Sequence, residues 1–148
     1  MKTNKSLLAH SLPPILLIDD DPHVLTTLQR LGESLNSLRL VLHLDPGTAT
    51  NAVADPTIGL IVCDYRFPNA SGVAFMESVR QRGISTPVLF ISGSPDSGAV
   101  VRSCAIRHSA FLQKPFTLRT FRDALFHLLD ETHPPQKPTE SLQSKSDR

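Results

Sequence analysis

Short apolar runs alternate along this chain with segments of helical period, and that alternation sets tight bounds on the fold. The runs are Ile15–Ile18, Ile58–Cys63, Pro87–Ile91 and Ala110–Leu112, each too short for a buried helix and nearly free of polar residues. Unbroken apolar runs of this length fit strands buried on both faces, as in a parallel sheet covered by helices. Leu38, Leu40, Leu42 and Leu44 instead alternate with Arg39, Val41 and His43. Such alternation marks a strand with one wetter face, as at a sheet edge.

The intervening segments have start signals and helical spacing. Asp21 and Pro22 read as N-cap and first helical residue, followed by Val24, Leu25, Leu28, Leu31 and Leu35. A weaker helix is expected over Thr48–Ala54. After a loop expected over Asp64–Ala70, Ser71 heads a helix bearing Val73, Phe75, Met76 and Val79. Ser94 and Pro95 begin a fourth, with Val100, Val101, Cys104 and Ile106. Thr117 caps the last, with Leu118, Phe121, Leu125, Leu128 and Leu129 on one face. Five strands and five helices in strict alternation predict an α/β, doubly wound parallel sheet. Right-handed crossovers reduce the arrangements to few, and the flavodoxin-like order 2-1-3-4-5 is the expected one.

The chain has 148 residues, 40% of them apolar, enough for one core. A leader over residues 1–13 and a polar, Pro-punctuated tail over 132–148 flank a domain expected at 14–131; the tail has too few apolar residues to offset ordering entropy. The net charge of +1, with Lys and Arg scattered, argues against a nucleic-acid surface. No segment approaches the roughly 18 apolar residues of a membrane span, and the interrupted N-terminus does not form a signal peptide. Cys63 and Cys104 lack zinc or redox spacing and read as apolar filler in a reducing, cytoplasmic setting.

Polar residues close the apolar runs: Asp19 and Asp20 after Ile15–Ile18, Asp64 after Ile58–Cys63, Ser92 after Pro87–Ile91 and Lys114 just beyond Ala110–Leu112. In one parallel sheet they would share the edge where open α/β sheets bind ligands. Three neighbouring carboxylates cannot all stay ionised without a counter-charge. A hard divalent cation supplies one, and Mg2+ fits because it takes one or two carboxylates, waters and a phosphate oxygen. One carboxylate could then attack phosphorus to form an acyl phosphate. Lys114 offers a positive charge to phosphoryl oxygens and Ser92 a hydroxyl.

Over roughly residues 13–131 the chain resembles the receiver domain of bacterial two-component response regulators. The resemblance rests on Ile15-Leu-Leu-Ile-Asp-Asp-Asp-Pro22, Leu60-Ile-Val-Cys-Asp-Tyr-Arg-Phe-Pro68 with Gly72 following, Pro87-Val-Leu-Phe-Ile-Ser-Gly93 and Phe111-Leu-Gln-Lys-Pro-Phe116. It implies Asp64 as phosphoacceptor, Asp20 as direct Mg2+ ligand, Asp19 as its water-mediated partner and the Arg66 backbone carbonyl as third protein ligand. It also implies Ser92 and Phe111 as switch residues, Lys114 as a phosphoryl contact, and a cis bond at Lys114-Pro115. Arg66 and Ser94 match positions that tune dephosphorylation, and Gly93 leaves the site open to a donor. Two departures stand out: Phe67 where Met or Leu is common, and His108-Ser-Ala110 where Gly-Ala often precedes the fifth strand.

The implied activity is that of a signalling phosphoprotein rather than an enzyme. A sensor histidine kinase or phosphotransfer protein would donate the phosphoryl group to Asp64. A shift of the surface formed by helix four, strand five and helix five would then signal to a downstream protein, and a homodimer through that surface is compatible. A stand-alone receiver, a phosphoryl shuttle and a piece of a larger regulator or hybrid kinase all fit. The alternative is a haloacid-dehalogenase-like phosphatase with Asp19 as nucleophile. It leaves Asp64 unexplained and lacks a further acidic pair after a strand, since Asp123 and Asp130 fall in a helical segment. A phosphorylation-independent interaction module is a second rival.

Overall fold

The computed structural model describes residues 13–35, 39–93 and 105–132. Five parallel strands form one sheet: β1 (Ile15–Ile18), β2 (Leu40–His43), β3 (Leu60–Asp64), β4 (Val88–Ser92) and β5 (Ser109–Gln113). Their spatial order is β2-β1-β3-β4-β5, the expected doubly wound arrangement, with β2 at one edge. The helices are α1 (Pro22–Leu35), the single turn α2 (Pro46–Ala49), α3 (Gly72–Gln81) and α4 (Leu118–Thr132). Residues 94–104 of the helix expected from Ser94, Cys104 among them, lie outside the described residues, and Ile106, expected at its end, is buried in a turn ahead of β5, so α4 is the fifth helix expected from the sequence. α4 runs through Thr132, one residue into the expected tail.

Burial follows the pattern of the strands. Alternate residues of the central strands point to opposite faces. Ile15 and Leu17 of β1 join Val24, Leu28 and Leu31 of α1 and Phe121, Leu125 and Leu128 of α4 on one side. Leu16 and Ile18 join Val73, Met76 and Val79 of α3 on the other. Each such side chain contributes on the order of 1.5–3 kcal/mol when buried. Two faces covered by helices leave the strand ends as the accessible edge.

Three local outcomes differ from the sequence reading. The helix expected over Thr48–Ala54 starts earlier, at Pro46, because Asp45 caps it by accepting from the Thr48 amide at 3.0 Å. It lasts one turn, followed by a 3-10 turn over Ala52–Ala54. The loop expected after Asp64 contains a two-residue hairpin, Arg66–Phe67 with Ala70–Ser71. On edge strand β2, Leu42 is 42% exposed, and Leu44 just beyond it is 61% exposed, so the alternation there marks the edge better than it marks burial. At the opposite end of the sheet, Arg80 of α3 donates to the carbonyls of Ile84, Thr86 and Arg107, tying α3 to the segment that feeds β5. In that segment His108 takes a left-handed conformation (φ 54°), uncommon outside glycine but enriched in histidine.

Candidate functional site

Register builds the site. Ile18 pairs with Cys63, so the residues that follow, Asp19 and Asp64, leave the sheet level with each other. Asp64 pairs with Ile91, and Ser92 with Gln113, which puts Lys114 one residue beyond the same edge. Backbone bonds fasten these ends: the Lys114 amide donates to the Ser92 carbonyl (2.8 Å), the Tyr65 amide to that of Ile91 (2.9 Å) and the Asp19 amide to that of His43 (3.1 Å). The Lys114–Pro115 bond is cis, as expected.

Asp19, Asp20 and Asp64 each offer a carboxylate oxygen, and the three lie within 4.8 Å of one another. Asp19 is buried, Asp64 half-buried and Asp20 exposed. Such a set has hard oxygen donors beneath and open room for waters above, which suits an octahedral divalent cation. The Lys114 ammonium stands 3.4 Å from Asp19 Oδ2 and 3.8 Å from Asp64 Oδ2. Its nearest partner is a residue to which the receiver reading gives helix capping alone: Asp21 Oδ2, at 2.9 Å. Asp21 does cap α1, with Oδ1 accepting from the His23 amide at 2.9 Å. The two oxygens of one carboxylate thus serve two elements. Local sequence gave the cap; the contact with Lys114 spans 93 residues and has no local pattern.

Electrostatics follow from this crowding. Burial pushes the Asp19 carboxyl up to about 6, helped by the negative charge of Asp64, while the Asp21 amide and Lys114 pull it back. Burial also raises Asp64, against Lys114 and the Arg66 amide, which donates to Asp64 Oδ1 at 3.3 Å. Burial lowers Lys114, but the hydrogen bond to Asp21 and the charges of Asp19 and Asp64 outweigh it and leave the ammonium raised. Asp21 is lowered because its bond to Lys114 overrides partial burial.

The remaining expected residues divide as follows. Ser92 ends β4 with only 2% of its surface exposed. Phe111 lies half-buried in β5, in register with Phe90 and packed against the α3 side of the core. Arg66 is exposed on the hairpin beside Asp64. Gly93 lines a cleft with His23, Thr27, Arg30, Lys114 and Phe116. Ser94 lies outside the described residues.

The family model described as response regulator receiver domain matches residues 15–126. The chain belongs to that family. Among curated relatives, the transcriptional regulatory protein FixJ of Azorhizobium caulinodans is 31% identical over 103 residues, 70% of this chain and 48% of that protein. The C4-dicarboxylate transport transcriptional regulatory protein DctD of Pseudomonas aeruginosa is 28% identical over 116 residues, 78% of this chain and 25% of that protein. This receiver therefore spans about a quarter to a half of the curated relatives it matches. The CheY-like receiver domain protein of Methanospirillum hungatei JF-1 shares its fold, with a TM-score of 0.70, 20% identity, and coverage of 82% of this chain and 96% of that one. The signal receiver domain of a Luxo repressor protein from Vibrio parahaemolyticus does likewise (TM-score 0.71, 18% identity, 80% and 91% coverage). Residues 15–126 are thus a receiver domain of the phosphoacceptor signalling type. Nothing in the family supports the dehalogenase-like alternative.

Proposed function

We propose that Asp64 is the phosphoacceptor of this receiver, with residues 14–131 as the signalling unit. Asp19, Asp20, Asp64 and the Arg66 carbonyl would hold Mg2+, Asp20 directly and Asp19 through water. The metal, when bound, supplies charge neutralisation to an incoming phosphoryl group. An ionised Asp64 oxygen attacks phosphorus, forming a new P–O bond. The P–N bond of a phosphohistidine donor breaks, and its electron pair returns to the imidazole nitrogen. Lys114 then meets the phosphoryl oxygens with positive charge and Ser92 with its hydroxyl. Arg66, exposed beside Asp64, and Ser94 next after Gly93 in sequence would tune the attack of water on the acyl phosphate.

The observation that carries this reading is the approach of the three carboxylates within 4.8 Å, with one ammonium beside two of them. A histidine kinase or phosphotransfer protein is the proposed donor, and a downstream protein the proposed reader of the face built on β5, α4 and the fourth expected helix. That face also serves for any homodimer. We place the protein in the cytoplasm, in keeping with a free buried Cys63 and with no described helix long and apolar enough to cross a membrane. Intact-protein mass spectrometry after acetyl phosphate and Mg2+ tests the assignment. Wild type and Asp19→Asn gain a phosphoryl mass, the latter more slowly, and Asp64→Asn does not. Phosphorylation of Asp64→Asn with none on Asp19→Asn would move the nucleophile to Asp19.

A further inference from the structure

We propose that Asp21 is a positioning residue that holds Lys114 in reserve and competes with the acceptor carboxylate for its ammonium. The inference rests on the reading that Lys114 meets the phosphoryl group on Asp64. Lys114 Nζ sits 2.9 Å from Asp21, 3.4 Å from Asp19 and 3.8 Å from Asp64, so the resting ammonium is bonded away from the group it is to serve. Asp21 is a fixed anchor. Its second oxygen is tied to the His23 amide at the head of α1, and Pro22 beside it restricts the backbone. Lys114 is by contrast a point charge on a flexible stem.

Phosphoryl transfer places new anionic oxygens between Asp64 and Lys114. Occupying them draws the ammonium off Asp21, so the ion pair is weakened during capture. Both partners are partly exposed, 19% for the Lys114 side chain and 25% for that of Asp21, so the pair is a modest restraint rather than a lock. Replacing Asp21 by Asn keeps the cap, because Asn is as good an N-cap as Asp, while removing the charge that retains Lys114. Loss of the restraint is expected to speed phosphoryl uptake roughly two- to fivefold, the range such a pair allows.

Two measurements decide. In unphosphorylated protein without Mg2+, the 15N–1H correlation of the Lys114 ammonium should be observable in wild type, shielded from exchange by its bonds. In Asp21→Asn it should broaden or shift strongly. An unchanged signal overturns the pairing, whether or not the protein takes up phosphate. In the second, uptake from phosphoramidate with Mg2+ is timed for wild type, Asp21→Asn and Asp45→Asn. Asp45 caps α2 at the same edge and makes no contact with Lys114, so its variant removes one charge without freeing the ammonium. Acceleration in Asp21→Asn alone supports the inference. Equal acceleration in both, or none in Asp21→Asn, overturns it. No uptake by wild type would refute the acceptor reading itself and with it the reserve role, leaving the ammonium signal to decide only the pairing.

Discussion

Asp19 bears the sharpest conflict in the molecule, because its side chain is fully buried and yet faces a second carboxylate. Its pKa near 6 lies above the ordinary value of 3.8, so the folded chain binds that proton more tightly than the unfolded one. The stability linked to this proton is present below about pH 4 and lost as pH rises through 6. Without divalent cations, Asp19→Asn should therefore stabilise the protein at pH 8 by about 1–3 kcal/mol, the scale of a two-unit shift. The gain should fade toward pH 4. Thermal unfolding in chelator across that range checks it, and a lower Tm for the variant at pH 8 would contradict it. On the proposed site, Mg2+ affinity should correspondingly fall as pH drops below 6, since a protonated Asp19 no longer sets its negative charge beside the ion. The four acids and the lysine were unequally legible in sequence. Asp19, Asp20, Asp64 and Lys114 announce themselves by following apolar runs. Asp21 does not, because an Asp-Pro pair ahead of a helix is fully explained as a cap, and its bond to Lys114 depends on a register no local pattern encodes.

The meeting of β3 and α3 shows how one element boundary fixes Asp64, the proposed acceptor. Gly72 opens α3 directly against the end of β3, and its amide donates to the Tyr65 carbonyl at 2.9 Å. A Cβ there would run into the Asp64 carbonyl oxygen and meet Cys63 Sγ at 3.0 Å. Gly72→Ala must therefore push the helix from the strand or displace Asp64. Overpacking of this kind costs about 1–3 kcal/mol. The expected result is a lower unfolding midpoint together with slower phosphoryl uptake; normal values of both would show that the backbone yields without consequence. Sequence pattern found the apolar face of α3 and its Ser71 cap but read the preceding segment as plain loop. Two-residue pairing between Arg66–Phe67 and Ala70–Ser71 is too short to leave a period, and the space that demands glycine is set by Asp64, eight positions earlier. α2 was misplaced for a different reason: Asp45-Pro46 is a start signal that a search for apolar period passes over.

At the scale of the molecule, strict alternation of element types was enough to order the sheet, because right-handed crossovers leave few topologies for five strands. That order puts β4 and β5 side by side beyond β3, so an event at Asp64 has a short route outward. Ser92 ends β4 one residue past the partner of Asp64, the proposed acceptor, and its carbonyl takes the Lys114 amide, while Phe111 lies on β5 against Phe90. A phosphoryl group on Asp64 that draws in the Ser92 hydroxyl would vacate space on the path to half-buried Phe111. Such a switch is a shift between two packings, driven only by contacts that differ between them. It follows that Ser92→Ala should accept phosphate from a small donor at a rate close to wild type while losing the conformational response. Chemical shifts along β5 and α4, recorded with and without beryllofluoride, separate the two steps. In wild type they should move as a block that includes Phe111; in Ser92→Ala the perturbation should stay confined to the strand ends around Asp64. A full β5 response in the variant would take Ser92 out of the relay and leave the Lys114 backbone bond as the link between Asp64 and the outer strand.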